Sequence, residues 1–124
     1  GGGGGIDLSG GTGLIGLPNH HVNYESGLTD QEIARFTLDA NEQLELWRLD
    51  VEVRGGGTNS NVSVEVYDAD AGAALGSTTA GSRIEGGSSP IATSNAGATI
   101  LVRLTTGGSA VDVCATGITN ITEA

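Results

Sequence analysis

The clearest regularity in the chain is an alternation of period two. Across Trp47-Arg48-Leu49-Asp50-Val51-Glu52-Val53-Arg54 every odd position is apolar and every even position is charged, the pattern of a strand with one face in a core and one in water. The same alternation places Phe36 and Leu38 together in Arg35–Asp39, Val62, Val64 and Val66 in Asn61–Tyr67, and Ile100, Val102 and Leu104 in Thr99–Thr105. It recurs with Val111, Val113 and Ala115 in Ala110–Thr116, and Ile118 and Ile121 carry apolar character toward the end. Leu44 and Leu46 occupy the phase opposite to Leu49 and Val51, which predicts a bulge or bend near Leu46 and Trp47. Thr29-Asp30-Gln31-Glu32, with Leu28 and Ile33 placed for a hydrophobic staple, has the form of a capping box and predicts one helical turn.

Turn residues punctuate these runs. Gly55-Gly56-Gly57-Thr58-Asn59-Ser60 reads as a loop, after which the strand at 61–67 is expected to fold back as a hairpin on the one before it. Asp68-Ala69-Asp70-Ala71-Gly72 turns into Ala73–Thr79, and Gly107-Gly108 turns between the last two alternating runs. Ala80–Gly97 contains Pro90 and few apolar residues beyond Ile84 and Ile91, so it reads as a long loop with a short edge strand. Six to eight short strands with almost no helix define an all-β chain. The expected fold is a single antiparallel β-sandwich or jelly-roll-like domain over residues 28–124.

Residues 1–27 differ in kind. They hold ten of the 22 glycines, and glycine-rich backbone is entropically costly to order. Yet Ile6, Leu8, Leu14, Ile15 and Leu17 are spaced through the stretch, and a pure tether has no use for five aliphatic side chains. This Gly-rich N-terminal arm is therefore expected to order on a neighbouring subunit or against the body of its own domain. The chain starts on Gly1 and contains no Met, which fits either removal of a leader or trimming. Ile, Leu, Val and Phe total 29 of 124 residues, about 23%, just above the level of roughly 20% below which a highly charged chain stays disordered.

Charge narrows the partners. The net charge of −10 arises from 15 acids against five bases, every one of them arginine. A pI near 4.2 with no cationic cluster repels phosphate backbones and argues against a nucleic-acid partner. No apolar run approaches the roughly 20 residues that cross a bilayer, and no basic amphipathic helix is present to lie on one, so membrane insertion is not expected. The single Cys114 has no internal disulfide partner.

Candidate chemistry is sparse. His20-His21 are adjacent, so on extended chain they point to opposite sides and do not chelate one ion within a subunit; they read as surface or contact residues, or as ligands to a metal shared between arms. Asp68-x-Asp70-x-Gly72 opens like a calcium loop but has Gly72, Ala73 and Thr79 where a third oxygen ligand, a glycine and a glutamate are required. It reads as a turn in which Asp side chains accept local backbone hydrogen bonds, with weak cation binding in high salt as the residual option. No base stands near Cys114, the only imidazoles lie in the arm, and there is no lysine, so no catalytic triad and no cofactor site emerge and a non-enzymatic role is expected. Asn61-Val62-Ser63 and Asn120-Ile121-Thr122 match the N-glycosylation acceptor pattern, Asn61 at the end of a loop being the better placed.

Acids in excess, arginine without lysine and abundant small residues resemble proteins of extremely halophilic archaea and their viruses. Carboxylates keep a hydrated, mutually repelling surface where salt screens repulsion to a few Å. The segments Leu38-Asp39-Ala40-Asn41-Glu42-Gln43-Leu44-Glu45-Leu46, Val53-Arg54-Gly55-Gly56-Gly57, Asn61-Val62-Ser63-Val64-Glu65-Val66 and Ala98-Thr99-Ile100-Leu101-Val102-Arg103-Leu104 further resemble, in composition and strand style over residues 33–121, the small β-sandwich virion structural proteins of haloarchaeal viruses. That resemblance implies a structural subunit located on a virion or extracellular surface. Its partners would be other copies of itself and other virion or surface proteins, joined through edge strands and the arm. A subunit of an extracellular archaeal filament that uses the arm for donor-strand exchange, or a secreted binding module, is the alternative.

Overall fold

The structure, a computed structural model of the 124-residue chain, describes residue 14, residues 16–55 and residues 61–124. Among these residues the secondary structure consists of nine strands: β1 (Val22–Tyr24), β2 (Gln31–Thr37), β3 (Glu42–Arg54), β4 (Ser63–Asp68), β5 (Ala73–Thr79), β6 (Arg83–Glu85), β7 (Ala92–Thr93), β8 (Thr99–Thr105) and β9 (Val111–Glu123). No helix among the described residues is long and apolar enough to cross a membrane. One sheet has the order β1-β9-β3-β6, with β7 also paired to β3, and the other the order β2-β8-β4-β5. Every pairing is antiparallel. The two sheets form a β-sandwich.

The alternating positions are what the sandwich buries. Leu44, Leu46, Leu49 and Val51 of β3 and Val111, Val113 and Ala115 of β9 come from one inner face. Val64 and Val66 of β4 and Ile100, Val102 and Leu104 of β8 come from the other. The phase change in β3 is a bulge: Leu46 pairs with Thr119 and Arg48 with Ile118, so Trp47 is an extra residue opposite an unbroken β9. It lets Leu44 and Leu46 on one side and Leu49 and Val51 on the other all face inward. Trp47 does not join Leu49 on the inner face; it is half-buried and its indole N–H donates to Glu45 Oε1 at 3.0 Å.

Three sequence expectations are corrected. The strands at 42–54 and 63–68 form no hairpin: β3 and β4 lie in opposite sheets, and β3 takes β9, β6 and β7 as neighbours. A strand with one apolar face fulfils its burial equally well beside a partner or across the core from it, and here the long β9 covers β3 from Glu42 to Arg54. Thr29–Glu32 makes no helical turn. The N–H groups of Leu28 and Asp30 donate instead to the hydroxyls of Thr106 (2.9 Å) and Thr105 (3.1 Å), and β2 begins at Gln31. Ala80–Gly97 supplies two short strands on β3 rather than one.

Candidate functional site

The arm's anchor is built from Leu14, Gly16, Leu17 and Pro18. Leu17 N–H donates to Leu14 O at 3.0 Å, closing a four-residue turn in which Gly16 has φ +96°, the sign a type II turn requires at its third position. A side chain at Gly16 would overlap Ala34 Cβ of β2, so both backbone sign and space demand glycine there. Leu14 and Leu17 are 3% and 6% exposed and belong to the hydrophobic core of their own subunit. They fit because inward-facing Gly117 of β9 has no side chain: a Cβ there would meet Leu17 Cδ1 at 3.2 Å and Leu14 Cβ at 3.8 Å. Pro18 O then accepts from Ala115 N–H at 2.7 Å, and β1 follows as the edge strand, Val22 opposite Val113 and Tyr24 opposite Val111. The boundary read at residues 27 and 28 falls between β1 and β2, so the described part of the arm lies on the sandwich itself. Ile6, Leu8 and Ile15 lie outside the described residues.

Beside this anchor, β9 runs on past the last described strand on that side. β9 pairs with β3 along its whole length, but β1 covers only Val111–Val113 and Pro18 adds one bond at Ala115. Ala124 N–H points to the β3 side, donating to Asn41 O just before that strand, whereas Ala115 N–H points to the opposite side. Alternation along the strand therefore sends the backbone N–H and C=O of Gly117, Thr119 and Ile121 to the side where no described strand lies. Thr119 is buried and its hydroxyl has no partner among the described residues. Ile118, 39% exposed, stands on the outer face of the same stretch. Sequence reasoning did not single out this edge, because alternation reads the same whichever strand lies beside it.

The other singled-out residues are placed as follows. Asp68 is buried and its carboxylate is committed to main chain: Oδ1 accepts from Asp70 N–H (2.9 Å) and Ala71 N–H (3.0 Å), Oδ2 from Asn95 N–H (2.8 Å). The segment is a turn tied to the β7–β8 connection, with Asp70 exposed at its tip. His20 is exposed and His21 half-buried, and no cluster of three His, Cys, Asp or Glu suited to a metal exists among the described residues. Asn61 is exposed in a turn, whereas Asn120 lies on a sheet face with its amide donating to Glu45 Oε1 at 3.2 Å.

Cys114 lines an open groove of about 430 Å³ on the outer face of the first sheet, with Asp50, Glu52, Ser82, Arg83 and Thr116 among its walls. Burial pushes the thiol pKa up, the Glu52 carboxylate pushes it further, and Arg54 opposes both. A thiol so placed is held protonated, the reverse of an activated nucleophile. Asp50 accepts from Arg48 Nε at 2.7 Å and lies 3.7 Å from Arg83 Nε. On the other sheet Arg103 Nε donates to Glu65 Oε1 at 2.6 Å, its guanidinium stacked 3.8 Å from the Tyr67 ring centroid. With Arg35–Glu32 and Arg54–Asp112, four carboxylates engage all five guanidiniums. Glu25, Asp30, Glu52, Asp70, Glu85 and Glu123 remain exposed outside these pairs.

No protein-family pattern matches the sequence, nor does any curated protein. Among solved structures the chain is similar to the Drosophila NLP-core, described in terms of pentamer formation and histone binding, with a TM-score of 0.44 at 12% identity over 80% of this chain and 96% of that one. It is also similar to a chain of infectious bursal disease virus Gx strain (TM-score 0.32, 16% identity, 86% of this chain and 31% of that one). A chain of the Gt strain gives 0.25 at 9% identity over 91% and 42%. At these values the likenesses carry no functional argument.

Proposed function

We propose that the chain is a non-enzymatic structural subunit of a haloarchaeal virus particle, a capsid, decoration, turret or tail component that assembles through sheet edges and its N-terminal arm. The observation that carries this reading is the stretch of β9 beyond Ala115 along which, among the described residues, no strand lies on the side away from β3, beside the point where the arm enters the core. Unpaired strand edges are sites of pairing with another chain, and soluble proteins blunt them with bulges, proline or inward charge. From Gly117 to Ile121 there is no proline and no inward-facing charge, and the bulge belongs to β3. The habitat rests on the surface: the arginines are all engaged and many carboxylates are left over, an excess that molar salt screens within roughly 3 Å. Cys114, with its raised pKa, supports a role without covalent chemistry.

Electron microscopy of the full chain in molar salt tests the proposal. Closed rings or shells are the expected result, and a monomer at all concentrations overturns it. Open-ended polymers support the second reading, an extracellular filament subunit, because a strand edge filled head to tail propagates when its rotation does not close.

A further inference from the structure

We infer that the outer face of the sheet built from β6, β3 and β9 pairs with the same face of a second copy of this chain. A two-fold axis crossing the strands at Asp50 and Thr116 seats Ile118 of each copy in the groove beside Cys114 of the other and sets Arg48 against Glu52. The inference rests on the assembly reading above and adds a face to the edges and the arm.

Alternation fixes which side chains stand on this face. Along β3 they are Arg48, Asp50, Glu52 and Arg54. Opposite them on β9 stand Ile118, Thr116, Cys114 and Asp112, and on β6 Glu85 pairs with Arg48 and Arg83 with Asp50. Ile118, at 39%, is the one large apolar side chain exposed among the described residues, and Glu52 and Thr116 are exposed beside it. Two hollows meet at Asp50 and Thr116. On the Cys114 side is the groove of about 430 Å³, and on the Ile118 side a smaller one of about 180 Å³ that Arg48 and Gly117 also line.

Charge selects the occupant. Three of the five arginines stand here with four carboxylates, so the face is one charge short of neutral although the chain carries −10. A chain this acidic repels its own copies least through such a face.

The rows then fix the register. Turned about the Asp50–Thr116 row, a second copy lies face down with its strands reversed. Residues two positions to either side of the axis, about 6.6 Å away, exchange places. Ile118 comes over Cys114 of the second copy and Arg48 over its Glu52, and both contacts recur across the axis, as a two-fold contact requires. Moving the axis one row either way would oppose Glu52 to Glu52 or Arg48 to Arg48. Glu52 lies outside the ion pairs of its own subunit, and Arg48 donates its Nε–H to Asp50 at 2.7 Å, a guanidinium having four further N–H donors. Asp50 meets its own copy on the axis row with Arg48 and Arg83 beside it. Aligned sheets pack about 10 Å apart, a gap that arginine and glutamate side chains bridge together. The protonated Cys114 thiol gives Ile118 a small, nearly apolar contact.

Sedimentation of full-length, charge-reversed chains in molar salt tests this. Glu52→Arg faces Arg48 of the second copy with a like charge, and Arg48→Glu does the same to its Glu52. Each substitution acts twice in the contact, so either chain alone should need at least about tenfold more protein to assemble than wild type. Mixed in equal amounts, the two chains restore opposite charges at every pair, and assembly should return. Asp70→Arg alters net charge as Glu52→Arg does but stands on a turn of the other sheet, and should assemble as wild type. Assembly unchanged by Glu52→Arg, equal weakening by Asp70→Arg, or a folded mixture no better than its components overturns the inference and leaves the structural-subunit reading standing. A wild-type chain that never associates overturns both. If Arg48→Glu fails to fold, a cross-link on the axis decides. With Cys114→Ser, Thr116→Cys should join its own copy through a short bismaleimide at least about tenfold more than Asp70→Cys does, the enrichment that raised local concentration gives; equal yields contradict the inference.

Discussion

Replacing Leu17 by alanine separates the arm's role in the subunit from its role between subunits. Leu17 is 6% exposed, packs with Leu14 against Gly117, and is held in place by the bond from Ala115 N–H to Pro18 O. Leucine-to-alanine changes in cores cost about 2–5 kcal/mol, more where the surroundings cannot collapse into the space. Here the site lies at the rim of the sandwich, but the turn above it is pinned by Gly16 against Ala34 and by Pro18 on β9, so relaxation is limited and about 3 kcal/mol is expected. Against a typical domain stability of about 5–15 kcal/mol that is a large fraction, and it corresponds to a melting temperature lower by about 10 °C. The assay is thermal and urea unfolding, followed by the fluorescence of the single Trp47, in a chain lacking residues 1–13 and in molar salt. The loss should be independent of protein concentration, because Leu17 is buried in its own subunit. A change below about 0.5 kcal/mol, the range of ordinary surface substitutions, or a loss that shrinks with dilution, would show that Leu17 docks on a neighbour and refute the anchor described above.

Further outcomes follow from the same geometry. Asp68→Ala leaves three buried N–H groups without their carboxylate and should lower stability by about 3–5 kcal/mol, while Asp68→Asn, which keeps one acceptor oxygen, should lose about half as much in denaturant titration. Deleting Trp47 removes the bulge yet keeps Leu44, Leu46, Leu49 and Val51 on one face, so that variant should fold; deleting Asp50 moves Val51 out of phase and should not, as circular dichroism would reveal. Cys114 should react with a thiol reagent more slowly than free cysteine at pH 8, and Glu52→Gln should speed it by removing a charge that raises the pKa. Because that pKa is raised in the folded state, its stabilising contribution is complete below the unfolded thiol's pKa and is lost as pH rises through the folded value, so alkaline melts should show the loss.

Much of the fold was legible because burial face is written in residue alternation. Leu44 and Leu46 against Leu49 and Val51 announced the Trp47 bulge, and Val62 through Val66, Ile100 through Leu104 and Val111 through Ala115 all face inward as their spacing implied. Alternation tells which face is buried but not which strand is the neighbour, so the absence of a β3–β4 hairpin was hidden. The capping box at Thr29–Glu32 misled because the N–H groups of Leu28 and Asp30, on either side of Thr29, are held by the hydroxyls of Thr106 and Thr105, more than 70 residues away in sequence. At Asp68 the two local bonds were readable from Asp-x-Asp-x-Gly, whereas the third, from Asn95, is long-range. The candidate edge was the least visible feature. Nothing in the sequence singles out Gly117, and only the packed chain shows that its missing side chain admits Leu14 and Leu17 and that no described strand lies along the backbone beyond it on the side away from β3.

Self-assembly under salt is the central claim, and sedimentation of the full chain from dilute buffer to molar salt measures it most directly. In molar salt a discrete multimer is expected, converting to smaller species when residues 1–13 are removed; as salt is withdrawn the assembly should dissociate, because exposed carboxylates such as Glu25, Glu85 and Glu123 then repel across the contacts. A monomer at every salt concentration, or a multimer indifferent both to salt and to loss of the arm, would contradict the account.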